Sequence, residues 1–197
     1  GQPEHLHFGA PVETADAAGF ACRPGLGWGS SILLDAENTT SCLDTVMLEW
    51  SGSGRGDYRE TPLERMGVTS DFRFDSFRIL EGSEKMTCGL PQAHGALETL
   101  EITLKQTGAE LKLYYTAFPT AIVRRTVLVN TGDSPMKLGK LMSFCLDLPG
   151  SFTMRSFNGS WIAEMRTTDV PVWESRVVNE SLTGASSNRH NPGFLLF

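Results

Sequence analysis

Paired cysteines, cationic excess, long apolar runs and helical periodicity are all missing from this sequence, and each absence removes a class of function. The four cysteines, Cys22, Cys42, Cys88 and Cys145, are irregularly spaced and contain no C-x-x-C. Neither a zinc site nor a dense disulfide framework is expected from such spacing. That usage suits a reducing compartment, so the sequence reads as cytoplasmic. Lys and Arg number 17 against 23 Asp and Glu, a net charge of -6. A surface that neutralises phosphates needs clustered cations, so nucleic acid is not an expected partner. No apolar run approaches the roughly 18 residues of a helical membrane span, and a membrane is not an expected partner either.

Familiar catalytic signatures are missing too. The chain has no Gly-x-Ser-x-Gly turn and no cysteine close to a histidine in sequence, which leaves no nucleophile motif of either kind. Gly25-Leu26-Gly27-Trp28-Gly29-Ser30 resembles a phosphate loop only in composition, since no strand leads in and no helix pattern follows. His5-Leu6-His7 puts two imidazoles on one face of a strand but offers no third ligand, so no metal is expected. Arg55-Gly56-Asp57 and the three Asn-x-Ser/Thr sequons at Asn38, Asn158 and Asn179 read as chance matches in a cytoplasmic protein. Many carboxylates are present, but a sequence alone does not pick out the pair a glycosidase would hold about 5–10 Å apart. No cofactor is expected.

What is present is alternation of period two, interrupted by turn residues, with no 3.6 period sustained for three turns. Between Leu97 and Leu104, the residues Leu100, Ile102 and Leu104 share one face, and Thr99, Glu101 and Thr103 share another that is expected to face water. Gly108 turns the chain into a second strand through Leu111, Leu113, Tyr115 and Ala117, closed by Pro119. Residues 121–129 alternate again before the turn cluster Asn130-Thr131-Gly132-Asp133-Ser134-Pro135, which predicts a further hairpin. Leu138 to Leu148 is apolar on both faces and reads as a long central strand. In Phe72 to Leu80 the parity slips between Phe74 and Phe77, as a β-bulge requires. Shorter strands are expected over 45–50, 152–157, 161–166 and 172–178, whereas residues 9–42 read as a long functional or interface loop.

These elements predict an all-β fold, a large antiparallel β-sandwich of meander and Greek-key hairpins with few or no helices. Residues 1–197 read as one domain. The missing initiator Met and the apolar end Phe194-Leu195-Leu196-Phe197 read as those of an excised domain. Two polar segments carry the groups that grip sugars, namely aromatic rings for C–H faces with guanidinium and amide groups for hydroxyls. One is Trp50 through Arg59 and the other Asn188 through Asn191, so Trp50, Asp57, Arg59, Asn188, Arg189 and His190 are the candidate sugar-contacting residues.

Several segments, taken in order, resemble the N-terminal domain of family-36 glycoside hydrolases, the bacterial α-galactosidases. They include His5-Leu6-His7-Phe8-Gly9, Leu43-Asp44-Thr45, Gly56-Asp57-Tyr58-Arg59 with Pro62, Gly89-Leu90-Pro91 and Glu98 to Leu104. Further on come Asp147-Leu148-Pro149, Gly159 with Trp161, Glu174-Ser175-Arg176, and Ser186-Ser187 with Asn191-Pro192. The resemblance runs almost end to end. It implies a β-supersandwich that precedes a (β/α)8 barrel carrying both catalytic aspartates of a retaining mechanism. It also implies α-galactosides of the raffinose and melibiose type as substrate, with no catalytic residue in this chain. The barrel would then be the domain's partner, with a homotetramer as a possible assembly. In tetrameric relatives a loop before the Leu-Asp-Thr strand lends an acidic and a basic residue to a neighbour's site; Asn38 and Thr39 stand nearest here. The position after the paired serines, often His in that family, is Asn188, with His190 two places later. A free-standing carbohydrate-binding β-sandwich is the alternative reading.

Overall fold

The computed structural model describes residues 3–13, 15, 48–52, 61–86, 89, 91–146, 148, 150–172, 176–180 and 190–197, with 190–192 described by backbone alone. Every named element is a strand, and every pairing is antiparallel. The fold is therefore all-β, built from antiparallel sheets as a sandwich requires. The chain divides into two compact units, Gly1–Asp147 and Leu148–Phe197.

The first unit is organised by a four-strand meander of β2 (Arg73–Glu81), β3 (Glu98–Gln106), β4 (Ala109–Ala117) and β5 (Ile122–Asn130). The β3–β4 turn is two residues long because Gly108 takes a φ of 74°, a left-handed conformation that costs glycine little. The sequence placed each of these strands to within about two residues, in keeping with the strength of a sustained period-two pattern. The slip in β2 is also real. Phe74 pairs with Leu104 and Phe77 with Ile102, so two register steps on β3 match three on β2, and the shift lies between Phe74 and Ser76.

Register sorts the meander into rows. Phe74–Leu104–Leu111–Leu128, Phe77–Ile102–Leu113–Thr126 and Ile79–Leu100–Tyr115–Arg124 lie on one face. The buried part of that face packs with Trp50, Leu63 and Phe72 into the core. The opposite face carries Thr99, Glu101 and Thr103, and here the expectation of a wet surface fails, because all three are buried. Two things cover them. Neighbouring strands lay the long side chains of Arg78, Lys112 and Tyr114 across the row. Residues from the 83–93 segment, Met86 and Pro91 among them, also line a small cavity with Tyr114 and Thr116 on this side. Conversely, Phe77 and Ile79 stand on the apolar face yet remain 64% and 63% exposed.

The long central strand expected over 138–148 is instead β6 (Leu138–Leu141), four residues that pair, among the described residues, with β1 (Leu63–Arg65). Its length is limited by its partner, since β1 ends in a turn at Gly67, φ 77°. The hairpin expected between β5 and this strand is not formed either. The Asn130 cluster does turn the chain, with Asn130 Oδ1 accepting from Gly132 N at 3.1 Å and Asn130 Nδ2 donating to Ser134 O at 2.8 Å. A second sheet, not β5, receives the strand that follows. Of the strand expected over 45–50, residues 45–47 lie outside the described residues; Leu48 bridges Glu4, and Glu49 N donates to Pro3 O at 3.0 Å.

The second unit is a three-strand sheet ordered β8 (Ala163–Val172), β7 (Phe152–Ser160), β9 (His190–Leu196). The short strands expected over 152–157 and 161–166 belong to one hairpin whose tip is Trp161-Ile162. β8 continues to Val172; of the strand expected over 172–178, residues 173–175 lie outside the described residues and 176–178 carry no ladder. Ile162 and Met165 adopt φ of 63° and 58°, a conformation that is strained for a β-branched residue.

Candidate functional site

Of the residues picked out by sequence, Asp57, Arg59, Asn188 and Arg189 lie outside the described residues, and His190 is seen only as the backbone partner of Asn158 at the start of β9. Trp50 is placed in the core, not on a rim. It is 1% exposed and clusters with Leu63, Phe72, Leu104 and Leu111, so its ring has no free face for a sugar. A large aromatic beside polar residues looks like a binding group in sequence, but area burial favours the interior for it.

The cleft that stands out was not legible in those loops. It forms where the segment from His5 to Phe8 meets the β4–β5 connection, and it measures about 620 Å³. Phe8, Phe118, Pro119, Ile122 and Phe144 supply apolar walls, His5, His7 and Thr120 supply polar groups, and Tyr115 and Arg124 complete the lining. His5 Nε2 donates to His7 O and His7 Nε2 donates to Ala10 O, each at 3.0 Å, which fixes the strap's local shape. Among the described residues no three His, Cys, Asp or Glu side chains gather as a metal shell would require.

Arg124 is the unusual member. Alternation on β5 turns it to the core face, where its guanidinium stacks on Tyr115 at 4.2 Å and its side chain is 7% exposed. Nη2 lies 3.3 Å from Glu49 Oε1, and Nη1 donates to Arg125 O at 2.6 Å. His5 Nδ1 sits 3.7 Å from the other Glu49 oxygen. Burial raises the Glu49 carboxyl above its ordinary 4.5 despite Arg124 and His5, and burial lowers Arg124 despite Glu49. Desolvation therefore outweighs attraction on both sides of the pair. Arg124 Nε and the Tyr115 hydroxyl find no hydrogen-bond partner among the described residues. The signal was available in sequence: Arg124 shares a parity with Thr126 and Leu128, and a charge in register with a core leucine calls for a partner.

On the opposite face one row crosses all four strands: Arg78, Glu101, Tyr114 and Arg125. Arg78 Nη2 donates to Glu101 Oε2 at 2.7 Å, Tyr114 hydrogen-bonds Glu101, and Arg125 lies over the Tyr114 ring at 4.8 Å while pairing with Glu84. Burial works to raise Glu101, yet the hydrogen bonds from Arg78 and Tyr114 hold it below 4.5, and burial with the Glu101 bond pushes Tyr114 up to about 12. A depressed carboxyl stabilises the fold above its unfolded value and loses that contribution as pH falls through the folded value. Arg78→Leu is therefore expected to destabilise at neutral pH, with the difference from wild type shrinking below about pH 4.5 as Glu101 protonates. Urea titrations at both pH values measure it; a pH-independent difference would exclude the linkage.

These positions can be set beside known proteins. The model of the glycosyl hydrolase family 36 N-terminal domain matches residues 1–197. The chain belongs to that family. An alpha-galactosidase AgaA of Geobacillus stearothermophilus is 30% identical over 95% of this chain and 27% of its own length. Alpha-galactosidase 2 of Hypocrea jecorina is 33% identical over 96% of this chain and 26% of its length. A bifunctional alpha-galactosidase/sucrose kinase AgaSK of Mediterraneibacter gnavus is 30% identical over 98% and 22%. The chain thus spans about a quarter of the length of the curated relatives it matches, at their N-terminal part. No solved structure matches it.

Proposed function

We propose that this chain is the non-catalytic N-terminal domain of an α-galactosidase, acting in the full-length protein by packing on a catalytic barrel and shaping the rim of its pocket. The observation that carries the reading is the match of the family model to all 197 residues, joined to relatives named alpha-galactosidases, of whose length this chain covers about a quarter. A cytoplasmic protein of carbohydrate metabolism is the accompanying reading, with terminal α-galactosides of the raffinose and melibiose type as substrates and a homotetramer as the assembly. The polar loops, with Asp57, Arg59, Asn188, Arg189 and His190, are the proposed rim residues.

Exposed apolar side chains support a packing role. Phe194 and Leu195 on β9, Phe197 just after it, and Trp161 and Ile162 at the β7–β8 tip are all exposed in the second unit. Surfaces of that kind mark contacts with further protein. The full-length protein is expected to hydrolyse p-nitrophenyl α-galactoside and raffinose, whereas residues 1–197 alone are expected to hydrolyse neither. Activity in the isolated chain, or none in the full-length protein, refutes the reading. Asp57→Ala and Arg59→Ala in the full-length protein are expected to raise KM for raffinose several-fold; unchanged KM in both would remove the rim role.

A further inference from the structure

The cleft between the His5–Phe8 strap and the β4–β5 connection is not used by the proposed packing role, and its chemistry is that of a ligand site. Its volume of about 620 Å³ falls within the roughly 300–1,000 Å³ usual for small-molecule sites. Its walls are aromatic and aliphatic, which suits the apolar C–H face of a ring. The charge of its lining residue Arg124 is compensated by an ion pair with Glu49, so the lining attracts neither anion nor cation strongly. Two hydrogen-bonding atoms on lining residues, Arg124 Nε and the Tyr115 hydroxyl, have no partner among the described residues. Unsatisfied buried donors of this kind cost about 1–3 kcal/mol each, and a ligand hydroxyl oxygen that reaches them removes that cost.

We propose that this cleft is a non-catalytic binding site for a neutral saccharide of one or two pyranose units. The ring stacks against the aromatic wall and a hydroxyl oxygen accepts from Arg124 Nε and Tyr115. Both donors are screened from water, so the sugar reaches them by shifting a rim side chain. Phe8 and Ile122, 52% and 61% exposed, have the room to move. The site places sugar recognition on the domain itself.

Hydrogen exchange on the full-length protein with galactose and with melibiose tests the assignment locally, so occupancy of a distant active site does not interfere. At about 100 mM sugar, a hundredfold above a millimolar Kd, peptides covering residues 3–10 and 118–126 are expected to gain protection. Tyr115→Phe removes a hydroxyl that lacks a partner among the described residues. It is expected to leave Tm at or above the wild-type value, since an unsatisfied buried group is removed, and to weaken the sugar about tenfold. Ile122→Trp fills the cleft from an exposed position and is expected to abolish the protection while kcat/KM for an α-galactoside stays at the wild-type value. Absence of protection in the wild type overturns the proposal, as does protection that survives both substitutions. Loss of kcat/KM in Ile122→Trp also overturns it, by making the cleft part of the catalytic pocket.

Discussion

Glu49→Leu is expected to destabilise the protein by about 3–5 kcal/mol, because it strands the Arg124 guanidinium in the interior. The guanidinium does not shed its proton at any accessible pH, so no ionisation relieves the cost. Arg124→Met leaves the Glu49 carboxylate instead, and that group can take up a proton. Its folded value is already raised by burial. A raised carboxyl contributes stability below its unfolded value and loses it as pH rises through the folded value. The Arg124→Met defect is therefore expected to be smaller than that of Glu49→Leu and to lessen on acidification. In the double variant neither charge remains, and stability is expected to return to within about 1 kcal/mol of wild type or above it, since both members of the pair are held against their own desolvation. Urea unfolding of the three variants at neutral and mildly acidic pH forms the cycle. If the double variant loses as much as the two singles summed, the two groups are not coupled and this account of the pair is wrong.

Trp50→Ala is expected to cost about 3–5 kcal/mol through the cavity it leaves among Leu63, Phe72, Leu104 and Leu111. For a chain of this size that is a fall of about 10 °C or more in Tm. Trp50→Phe keeps most of the volume and removes an indole N–H that has no partner among the described residues, so a loss below about 1.5 kcal/mol is expected. Calorimetry of both variants, with KM for an α-galactoside taken well below the transition, separates the possibilities. A normal Tm with a raised KM in Trp50→Ala would put this ring on the sugar after all. Since Trp50 and Glu49 are adjacent in sequence yet serve the core and the ion pair respectively, their variants also test whether the two share one cooperative unit.

Legibility from sequence followed local periodicity. β3, β4 and β5 could be read because each alternates over nine residues and each turn carries Gly, Asn or Pro. The bulge in β2 could be read because Phe74 and Phe77 must share a face although they are three apart. Residues 138–148 misled because an apolar pattern does not fix pairing or burial: Leu138, Leu141 and Phe144 stay exposed, and β6 pairs with β1 over the three residues of that strand. The Thr99, Glu101 and Thr103 face misled for a related reason. Polar residues on alternate positions imply solvent unless something covers them, and here Arg78, Lys112 and Tyr114 do. Arg124 of the cleft and its partner Glu49 are 75 residues apart, a separation at which no local pattern links them.

The sequence by itself determined the all-β class, the meander, the bulge and the family, because period-two alternation, turn residues and ordered short motifs are properties of neighbouring positions. Only the tertiary structure decided that the Thr99, Glu101 and Thr103 face is buried too, that Trp50 is core, that Glu49 pairs with Arg124, and that Arg124, Tyr115 and the His5–Phe8 strap line one cleft. Those outcomes depend on strand register and on desolvation, and both are set by residues distant in the chain that come together only in the fold.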